Sequence, residues 1–202
     1  GTCGAEGSDL TWTLDSEGVL TISGTGAMKD YDDFGNRAAW YANRDSIKTV
    51  SIGSGVTSVG TYAFSYCGNL TGVMILDSVT SIGRQAFYNC SNLQDVNVTD
   101  MDAWCRIAFG DMYATPMCYA KNLYLNGKPV TSVAVPQGVT ALNYTFCGFK
   151  DLTQVTLPNG LTSIGDRLFY NCSSLVSITI PDSVTSIGDQ AFYGCSSLAR
   201  IT

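Results

Sequence analysis

Residues 175–195 read LVSITIPDSVTSIGDQAFYGC and residues 70–90 read LTGVMILDSVTSIGRQAFYNC, so one unit of sequence occurs twice with few changes. The apolar residue that opens each unit recurs every 22 or 23 residues, with one longer step of 37, at Ile47, Leu70, Leu93, Val130, Leu152, Leu175 and Leu198. A phenylalanine stands six residues before the next opening residue, at Phe64, Phe87, Phe146, Phe169 and Phe192. A fixed period of this length predicts a solenoid of stacked repeats.

The order of residue types within a unit predicts its local structure. Ile178 and Ile180 alternate with polar residues, which is the period of a half-buried strand. Pro181 ends that strand because it has no N–H to donate to a ladder. Residues 184–187 predict a second extended segment, and a turn then sends Phe192 into the core. Since one unit cannot bury its apolar face alone, the units must stack, with the phenylalanines in one internal column and the opening residues in another.

The repeat resembles the BspA-like class of leucine-rich repeats, which occurs in bacterial and protist surface proteins. The shared pattern is L-x-x-I-x-I-P-x-x-V-T-S-I-G-x-x-A-F-x-x-C-S-S, and it covers about residues 46–202 apart from one insert. The resemblance implies an α/β repeat solenoid, a right-handed leucine-rich-repeat superhelix of 22- to 23-residue units with short parallel strands. It also implies a cell-surface or extracellular setting and roles in adhesion or in the recognition of proteins.

The first 45 residues do not follow the repeat and predict a cap. Apolar residues alternate at 10–14 and again at 20–22, and the turn-forming sequence Asp-Ser-Glu-Gly lies between them at 15–18. This pattern predicts a β-hairpin. Because a solenoid needs a cap over its first open coil, the hairpin with Trp40 and Tyr41 is the predicted N-terminal cap. The TWTL…LTISGTG sequence loosely resembles segments that precede the repeats in BspA-like proteins.

The predicted organisation has two parts, an N-terminal β-hairpin cap over residues 1–45 and a leucine-rich-repeat solenoid over residues 46–202. The last repeat is truncated, since a new unit opens at Leu198 and no C-terminal cap follows before Thr202. Either the native chain continues or a cap has been removed. An open last coil exposes a strand edge, so end-to-end contacts between molecules are a further expectation.

The one step of 37 residues exceeds a unit by 14 residues and marks an irregular insert at about residues 99–129. At its start, Thr99 followed by Asp102 fits a capping box loosely. The apolar residues that come next fall on one helical face, which predicts a helix over residues 100–109.

Further along the insert, Asn126-Gly127 predicts a two-residue hairpin turn between strands at 123–125 and 130–135. Insertions in repeat proteins either carry specificity or vary the packing, and binding residues are concentrated in irregular loops. The insert is therefore the first place to seek a specific site.

Composition excludes several classes of function. The chain has 202 residues and a net charge of −6, and its 11 Lys and Arg form no cluster. The electrostatic footprint of a nucleic-acid binder, or of a protein that docks on anionic membranes, is therefore missing. No apolar run is long enough for a membrane helix, which predicts no direct membrane insertion. The sequence also shows no signal peptide, so a secretion signal is expected to have been removed.

The composition also argues against catalysis. The chain contains no histidine, which removes the commonest general base and the commonest metal ligand. A nucleophilic serine would lack its base, and no zinc or calcium motif is present, so no cofactor and no metal are expected. Aspartates cluster at 30–33 and at 100–111, where they are solvated loop residues or, in an alternative, a glycosidase-type pair. The chain is predicted not to be an enzyme.

Half of the eight cysteines follow a phenylalanine by three residues, at Cys67, Cys90, Cys172 and Cys195. They share one repeat position and are predicted to line a column. One repeat has Phe149 at this position and moves its cysteine to Cys147, which favours a buried apolar slot, because free cysteine behaves as a small hydrophobe. Disulfides between adjacent coils are an alternative in a secreted protein. Pairing is also left open for the cysteines outside the column, Cys3, Cys105 and Cys118.

Two rows of side chains are candidates for an interaction surface. Tyrosines follow the phenylalanines and either form an outer stripe or pack half-buried against adjacent coils. Small and polar residues alternate with apolar ones along the predicted strands and would form a shallow, nearly uncharged face. Together with the insert, these rows give the candidate interaction residues Met74, Asp95, Asn97, Trp104, Asp111, Tyr113, Tyr124, Gln154, Tyr170 and Tyr193.

The predicted function is that of a non-catalytic binding module, secreted or at the cell surface, which recognises a protein or a glycan in adhesion. The repeat array and the missing catalytic groups motivate this prediction. One alternative is a spacer that presents another domain, and a further alternative is a hydrolase that uses carboxylates of the insert.

Overall fold

Short strands alternate with turns along the chain, and the computed structural model describes residues 1–5 and 9–202. The earlier strands are β1 (Leu10–Leu14), β2 (Val19–Gly24), β3 (Gly26–Ala27), β4 (Thr49–Ile52), β5 (Val56–Val59), β6 (Gly72–Ile75), β7 (Ser81–Ile82), β8 (Asp95–Val98) and β9 (Ala108–Phe109). The later strands are β10 (Asn122–Leu125), β11 (Lys128–Pro129), β12 (Ser132–Ala134), β13 (Ala141–Leu142), β14 (Gln154–Thr156), β15 (Ser163–Ile164), β16 (Ser177–Ile178), β17 (Ser186–Ile187) and β18 (Arg200–Ile201). The helical segments of the described residues are α1 (Met101–Arg106) and two 3-10 turns over Tyr41–Ser46 and Pro116–Cys118.

Strands from successive coils pair in parallel and form the two walls of a solenoid. In the described residues, the first wall is a seven-stranded sheet, β1-β2-β4-β6-β8-β10-β11, followed along the chain by a four-stranded sheet, β12-β14-β16-β18. The second wall is a four-stranded sheet, β3-β5-β7-β9, followed by a three-stranded sheet, β13-β15-β17. Ladder partners in regular coils are 23 residues apart, as in the pairs Thr49↔Gly72 and Gly72↔Asp95. The predicted repeat solenoid with short parallel strands is confirmed, and its helix content is low.

The N-terminal hairpin is present and belongs to the first wall. β1 and β2 pair antiparallel, beginning at Leu10↔Gly24, and β2 pairs in parallel with β4. The hairpin therefore covers an edge of β4 that would otherwise be unpaired. Below it, Trp40 is fully buried, donates from Nε1 to the carbonyl of Ala63 at 2.8 Å and stacks on Phe64 with the ring centroids 5.6 Å apart.

The phenylalanines fill the core in two stacks, with ring centroids 5.4 to 5.6 Å apart within each stack: Phe64 and Phe87, then Phe146, Phe169 and Phe192. The prediction of one continuous column is wrong, because an alanine interrupts it. The N–H of Phe87 donates to the carbonyl of Tyr113, as the N–H of Phe64 donates to Ala86. Ala114 therefore occupies the phenylalanine position of the next coil, where it is fully buried.

The insert contains the predicted helix in a shorter form. α1 spans Met101–Arg106 rather than residues 100–109, and its cap is Asp100, whose Oδ1 accepts from the backbone N–H three residues on at 2.8 Å. The cap is not Thr99, because Asp100 holds the extended backbone of a cap residue and places a carboxylate at the positive end of the helix dipole. The helix ends at Arg106, because Ile107 is already extended and the next two residues form β9 and pair with β7.

The Asn-Gly turn is present, but the strand after it differs from the prediction. Asn126 and Gly127 have φ angles of 49° and 76°, as a tight hairpin turn requires. The turn leads to antiparallel β11 at Lys128–Pro129 rather than to one strand over 130–135. β11 is short because Val130 already opens the next coil, and the following strand, β12, pairs with β14 in another sheet.

The step of 37 residues consists of two coils rather than one enlarged coil. The N–H of Lys121 donates to the carbonyl of Gln94, just as the N–H of Gln94 donates to the carbonyl of Thr71 one coil earlier. Gln94 and Thr71 each follow an opening residue, so Lys121 does too. Buried Ala120 is therefore an opening residue, so one coil of 27 residues runs from Leu93 to Ala120 and one of 10 runs on to Val130. The 10-residue coil is too short to add a strand to the second wall.

This missing strand leaves a junction in the second wall, between β9 and β13, where the described chain has no ladder pairing. In the coils that follow, the N–H of Thr162 donates to the carbonyl of Thr140, but no corresponding bond joins Thr140 to β9. The junction is an open cleft of about 390 Å³. Across it, Arg106 donates to the carbonyl of Gln137 at 3.0 Å.

Candidate functional site

The register of the seven-stranded sheet aligns one outward-facing residue from each of four coils, and three of them are predicted interaction residues. Ser51 of β4, Met74 of β6, Asn97 of β8 and Tyr124 of β10 are ladder partners of one another in succession. Successive side chains of a strand point to opposite faces. Since Val73, the residue before Met74, is buried, Met74 and its ladder partners point outward. The four residues form an outward row that we call the strand face.

Met74 is the apolar centre of the strand face. Its side chain is 44% exposed, whereas Ser51 and Asn97 beside it are polar and less exposed. A hollow of about 220 Å³ lies on one side of Met74, where Gly72 contributes no side chain. Another hollow of about 250 Å³ lies on the other side, between Asn97 and the turn at residues 126–127. The strand face therefore presents one apolar side chain between two shallow depressions.

Charge contributes little next to this row. Asp95 is half-buried, and its Oδ1 accepts from Nδ2 of Asn122 at 2.8 Å. The amide occupies part of the carboxylate's hydrogen-bonding capacity, so Asp95 orients a polar neighbour rather than standing as a free anion. Recognition at this face would depend on apolar contact and neutral hydrogen bonds.

Two predicted surface residues of the insert serve the fold instead. Trp104 is 1% exposed and packs edge-on against Phe109, with the ring centroids 5.3 Å apart. Its prediction as an interaction residue is wrong, because it lies on the inward, apolar side of α1. Asp111 is half-buried, and its Oδ1 accepts from three backbone N–H groups, those of Gln85, Tyr113 and Ala114.

Tyrosines of successive coils form a separate edge. The rings of Tyr66, Tyr88 and Tyr113 have centroids 5.5 and 5.1 Å apart and interplanar angles of 90° and 76°. In this edge-to-face arrangement the edge of one ring packs against the face of the next, and all three rings are half-buried. They follow the packing alternative rather than forming an open stripe.

The remaining predicted residues lie beyond the junction. Gln154 is exposed on β14, in the sheet that starts after the seven-stranded one. Tyr170 and Tyr193 stack with their centroids 5.1 Å apart. The structure does not bring these three residues into one site with the row around Met74.

Phe34 is an exposed aromatic side chain that the sequence reasoning missed. It is 99% exposed in the loop over residues 32–36, where Asp32 Oδ1 accepts from the N–H groups of Phe34, Gly35 and Asn36. These bonds, from Gly35, Asn36 and Phe34 in order of strength, hold the pKa of Asp32 below its ordinary value. An Asp-x-Gly-Asn sequence is typical of a loop, but it carries no signal that the aromatic ring points outward.

The cysteine column is built into the core. Sulfurs of successive coils donate to the carbonyl of the preceding coil's phenylalanine at 3.0 to 3.2 Å, namely Cys90 to Phe64, Cys172 to Phe146 and Cys195 to Phe169. Burial raises the pKa of Cys67 to about 12 and holds that of Cys90 well above its ordinary value. These are neutral structural groups. Among the described side chains, no three His, Cys, Asp or Glu residues are arranged to hold a metal ion.

Coils of about 23 residues with parallel strands and internal phenylalanine and cysteine columns define a leucine-rich-repeat protein. The model of the BspA-type leucine-rich-repeat region matches in six copies, over residues 37–109 and 120–202. The chain belongs to this family. The unmatched residues 110–119 lie within the insert, and among curated proteins none matches the sequence. None of the described helices is long and apolar enough to cross a membrane.

Solved structures similar to this chain include two bacterial leucine-rich-repeat proteins. A leucine-rich cell-surface protein from Faecalibacterium prausnitzii is 27% identical, with a TM-score of 0.55 and coverage of 96% of this chain and 52% of that one. A leucine-rich-repeat protein from Bacteroides ovatus is 21% identical, with a TM-score of 0.52 and the same coverage of both chains. The chain thus spans about half the length of each.

Proposed function

We propose that this chain is a non-catalytic recognition module that binds a protein partner through the strand face. Met74 carries the proposal, because it is an exposed apolar side chain with polar neighbours and a hollow on either side. Methionine is enriched at protein interfaces, and binding energy concentrates on a few apolar anchors that polar contacts surround. Tyr124, at the end of the row, adds an aromatic ring that is half-exposed.

The absence of a catalytic constellation supports the non-catalytic part of the proposal. The chain has no histidine, and the described groups with strongly raised pKa values are buried thiols and tyrosines of the core and the packed edge. Burial is the largest cause of each of these raised pKa values, which marks packed structural groups rather than a catalytic arrangement.

The module is proposed to act at the cell surface or outside the cell. Support comes from the Faecalibacterium prausnitzii structure, which is described as a leucine-rich cell-surface protein and is 27% identical to this chain. The net charge of −6 and the nearly uncharged strand face suit a protein or glycan ligand better than an anionic polymer.

Binding of the purified chain to immobilised collagen, fibronectin, laminin and fibrinogen, and to a glycan array, tests the proposal. The wild type is expected to bind at least one of the protein probes. Met74→Glu is expected to weaken that binding about tenfold or more, because it replaces the apolar anchor by a charge. Val176→Glu is the matched control, since Val176 is 52% exposed outside the strand face, and it should bind as the wild type does.

Circular dichroism and thermal unfolding establish that each variant is folded. A folded wild type that binds no protein probe would overturn the proposal, and so would equal losses in the two variants. Binding to glycans alone would replace the protein partner by a carbohydrate.

A further inference from the structure

Two cysteines meet beside the junction between β9 and β13. The Sγ atoms of Cys118 and Cys147 are 3.1 Å apart, although 29 residues separate them in the sequence. Closing that distance to a disulfide bond requires a movement of only about 1 Å. Both residues are well shielded, since Cys147 is fully buried and Cys118 is half-buried.

Neither cysteine belongs to the column described above. Phe149 is fully buried at the column position of its coil, which leaves Cys147 free for another contact. The Sγ of Cys118 donates to the carbonyl of Met112, six residues back in its own coil, at 2.7 Å. The column thiols instead donate to a phenylalanine of the preceding coil. The Cys118–Cys147 pair is therefore a separate feature of the junction.

The backbone at Gly148 allows this approach. Gly148 has a φ of 79° and lies against the carbonyl of Met117 so closely that a Cβ would have no room. The contact brings the segment that carries Cys147 directly onto the segment that carries Cys118. It joins the coils on either side of the junction, where the ladder between β9 and β13 is missing.

We propose that Cys118 and Cys147 form a disulfide that crosslinks the coils on either side of the junction. One thiolate attacks a disulfide oxidant, such as oxidised glutathione, and gives a mixed disulfide with release of one thiol. The second thiolate then attacks the protein sulfur of the mixed disulfide and releases the other thiol. The two cysteines lose two electrons and two protons, and the oxidant takes them up as two thiols while its own S–S bond breaks.

The hydrogen bond with Cys147, and after it burial, raises the pKa of Cys118 far above its ordinary value. Since the thiolate is the attacking form, exchange in the folded protein is slow. The crosslink is therefore expected to form while the junction packs during folding, so the experiment starts from reduced, denatured protein.

Refolding in a buffer of reduced and oxidised glutathione, followed by thiol counting in denaturant, tests the crosslink. Eight thiols are expected to fall by two, to six, and mass spectrometry of a digest should show the peptides of Cys118 and Cys147 joined. The crosslinked protein is expected to unfold about 5 °C or more above the reduced form, because a crosslink restricts the unfolded chain.

Cys118→Ser and Cys147→Ser should each abolish the crosslink and the difference in unfolding temperature, whereas the control Cys105→Ser should keep both. Eight free thiols in the refolded wild type, or joined peptides from other cysteines, would rule the proposal out. The wild-type readout decides even where a variant fails to fold. Neither glutathione nor thiol counting involves the strand face. A protein that forms no crosslink therefore leaves the proposed binding function intact, and a protein that binds no partner leaves the proposed crosslink intact.

Discussion

At the scale of single residues, the buried thiols make the folded protein less stable at alkaline pH. Burial raises the pKa of Cys67 and of Cys105 from 9.0 to about 12 each. The unfolded chain therefore loses these protons near pH 9, while the folded chain keeps them. Their contribution to stability is complete below pH 9 and is lost as the pH rises toward 12. Between pH 8 and pH 10 each thiol should remove about 1 kcal/mol from the free energy of unfolding.

Urea unfolding of the reduced protein at pH 8 and pH 10 measures this loss. Cys67→Ala is less stable at pH 8, because it leaves a cavity, but its fall in stability between the two pH values should be smaller by about 1 kcal/mol. An equal fall in the wild type and the variant would show that the thiol of Cys67 does not resist ionisation in the fold.

Residues at repeated positions were predictable from the sequence, and residues that occur once were not. The exchange of cysteine for Phe149 indicated a buried slot, and that slot is buried. Trp104 has no counterpart in another repeat, so the repeat pattern did not establish whether its side chain points inward or outward. Nor did sequence spacing predict the approach of Cys118 to Cys147, because it depends on how two irregular coils pack.

At the scale of elements, the hairpin turn of the insert depends on one glycine. Gly127 has a φ of 76°, and a Cβ there would meet open space. Gly127→Ala should therefore destabilise the protein through backbone strain alone, by about 1 kcal/mol. Gly160→Ala is the matched control, because Gly160 is equally open and has no positive φ; its stability should stay within about 0.5 kcal/mol of the wild type. Equal losses in urea unfolding would contradict the role of the turn.

Elements with a strong local signal were predicted, and their partners were not. The Asn-Gly turn and α1 exist, but α1 ends early because the following residues pair with β7. The 10-residue coil from Ala120 to Val130 was missed because alanine is a weak marker of an opening position. The hydrogen bonds from the N–H groups of Lys121 and Asn122 to the carbonyl of Gln94 identify it. The strand face likewise needed the register, since alternation alone does not show which strands are neighbours.

At the scale of the whole molecule, the period predicted the solenoid but not its division at the junction. A regular solenoid has the same ladder between all neighbouring coils, and its stability is roughly a sum over coils and their interfaces. Here each wall is divided at the insert. In the first wall the seven-stranded sheet is followed by a four-stranded sheet, and in the second wall the four-stranded sheet is followed by a three-stranded sheet. The interface at the junction has no ladder and is expected to be the weakest between neighbouring coils. In the reduced protein, the coils before the junction and the coils after it should therefore unfold separately.

Hydrogen exchange of two core variants tests this separation. Phe169→Ala removes a buried ring from the middle of the second stack and should cost about 3 to 5 kcal/mol. Amides of β14 to β17 should then exchange faster, while those of β4 to β7 keep their protection. Phe64→Ala, in the first stack, should give the opposite pattern. Faster exchange throughout both parts in either variant would mean that apolar contact across the junction couples them as strongly as a ladder does, and that the missing strand has no energetic consequence.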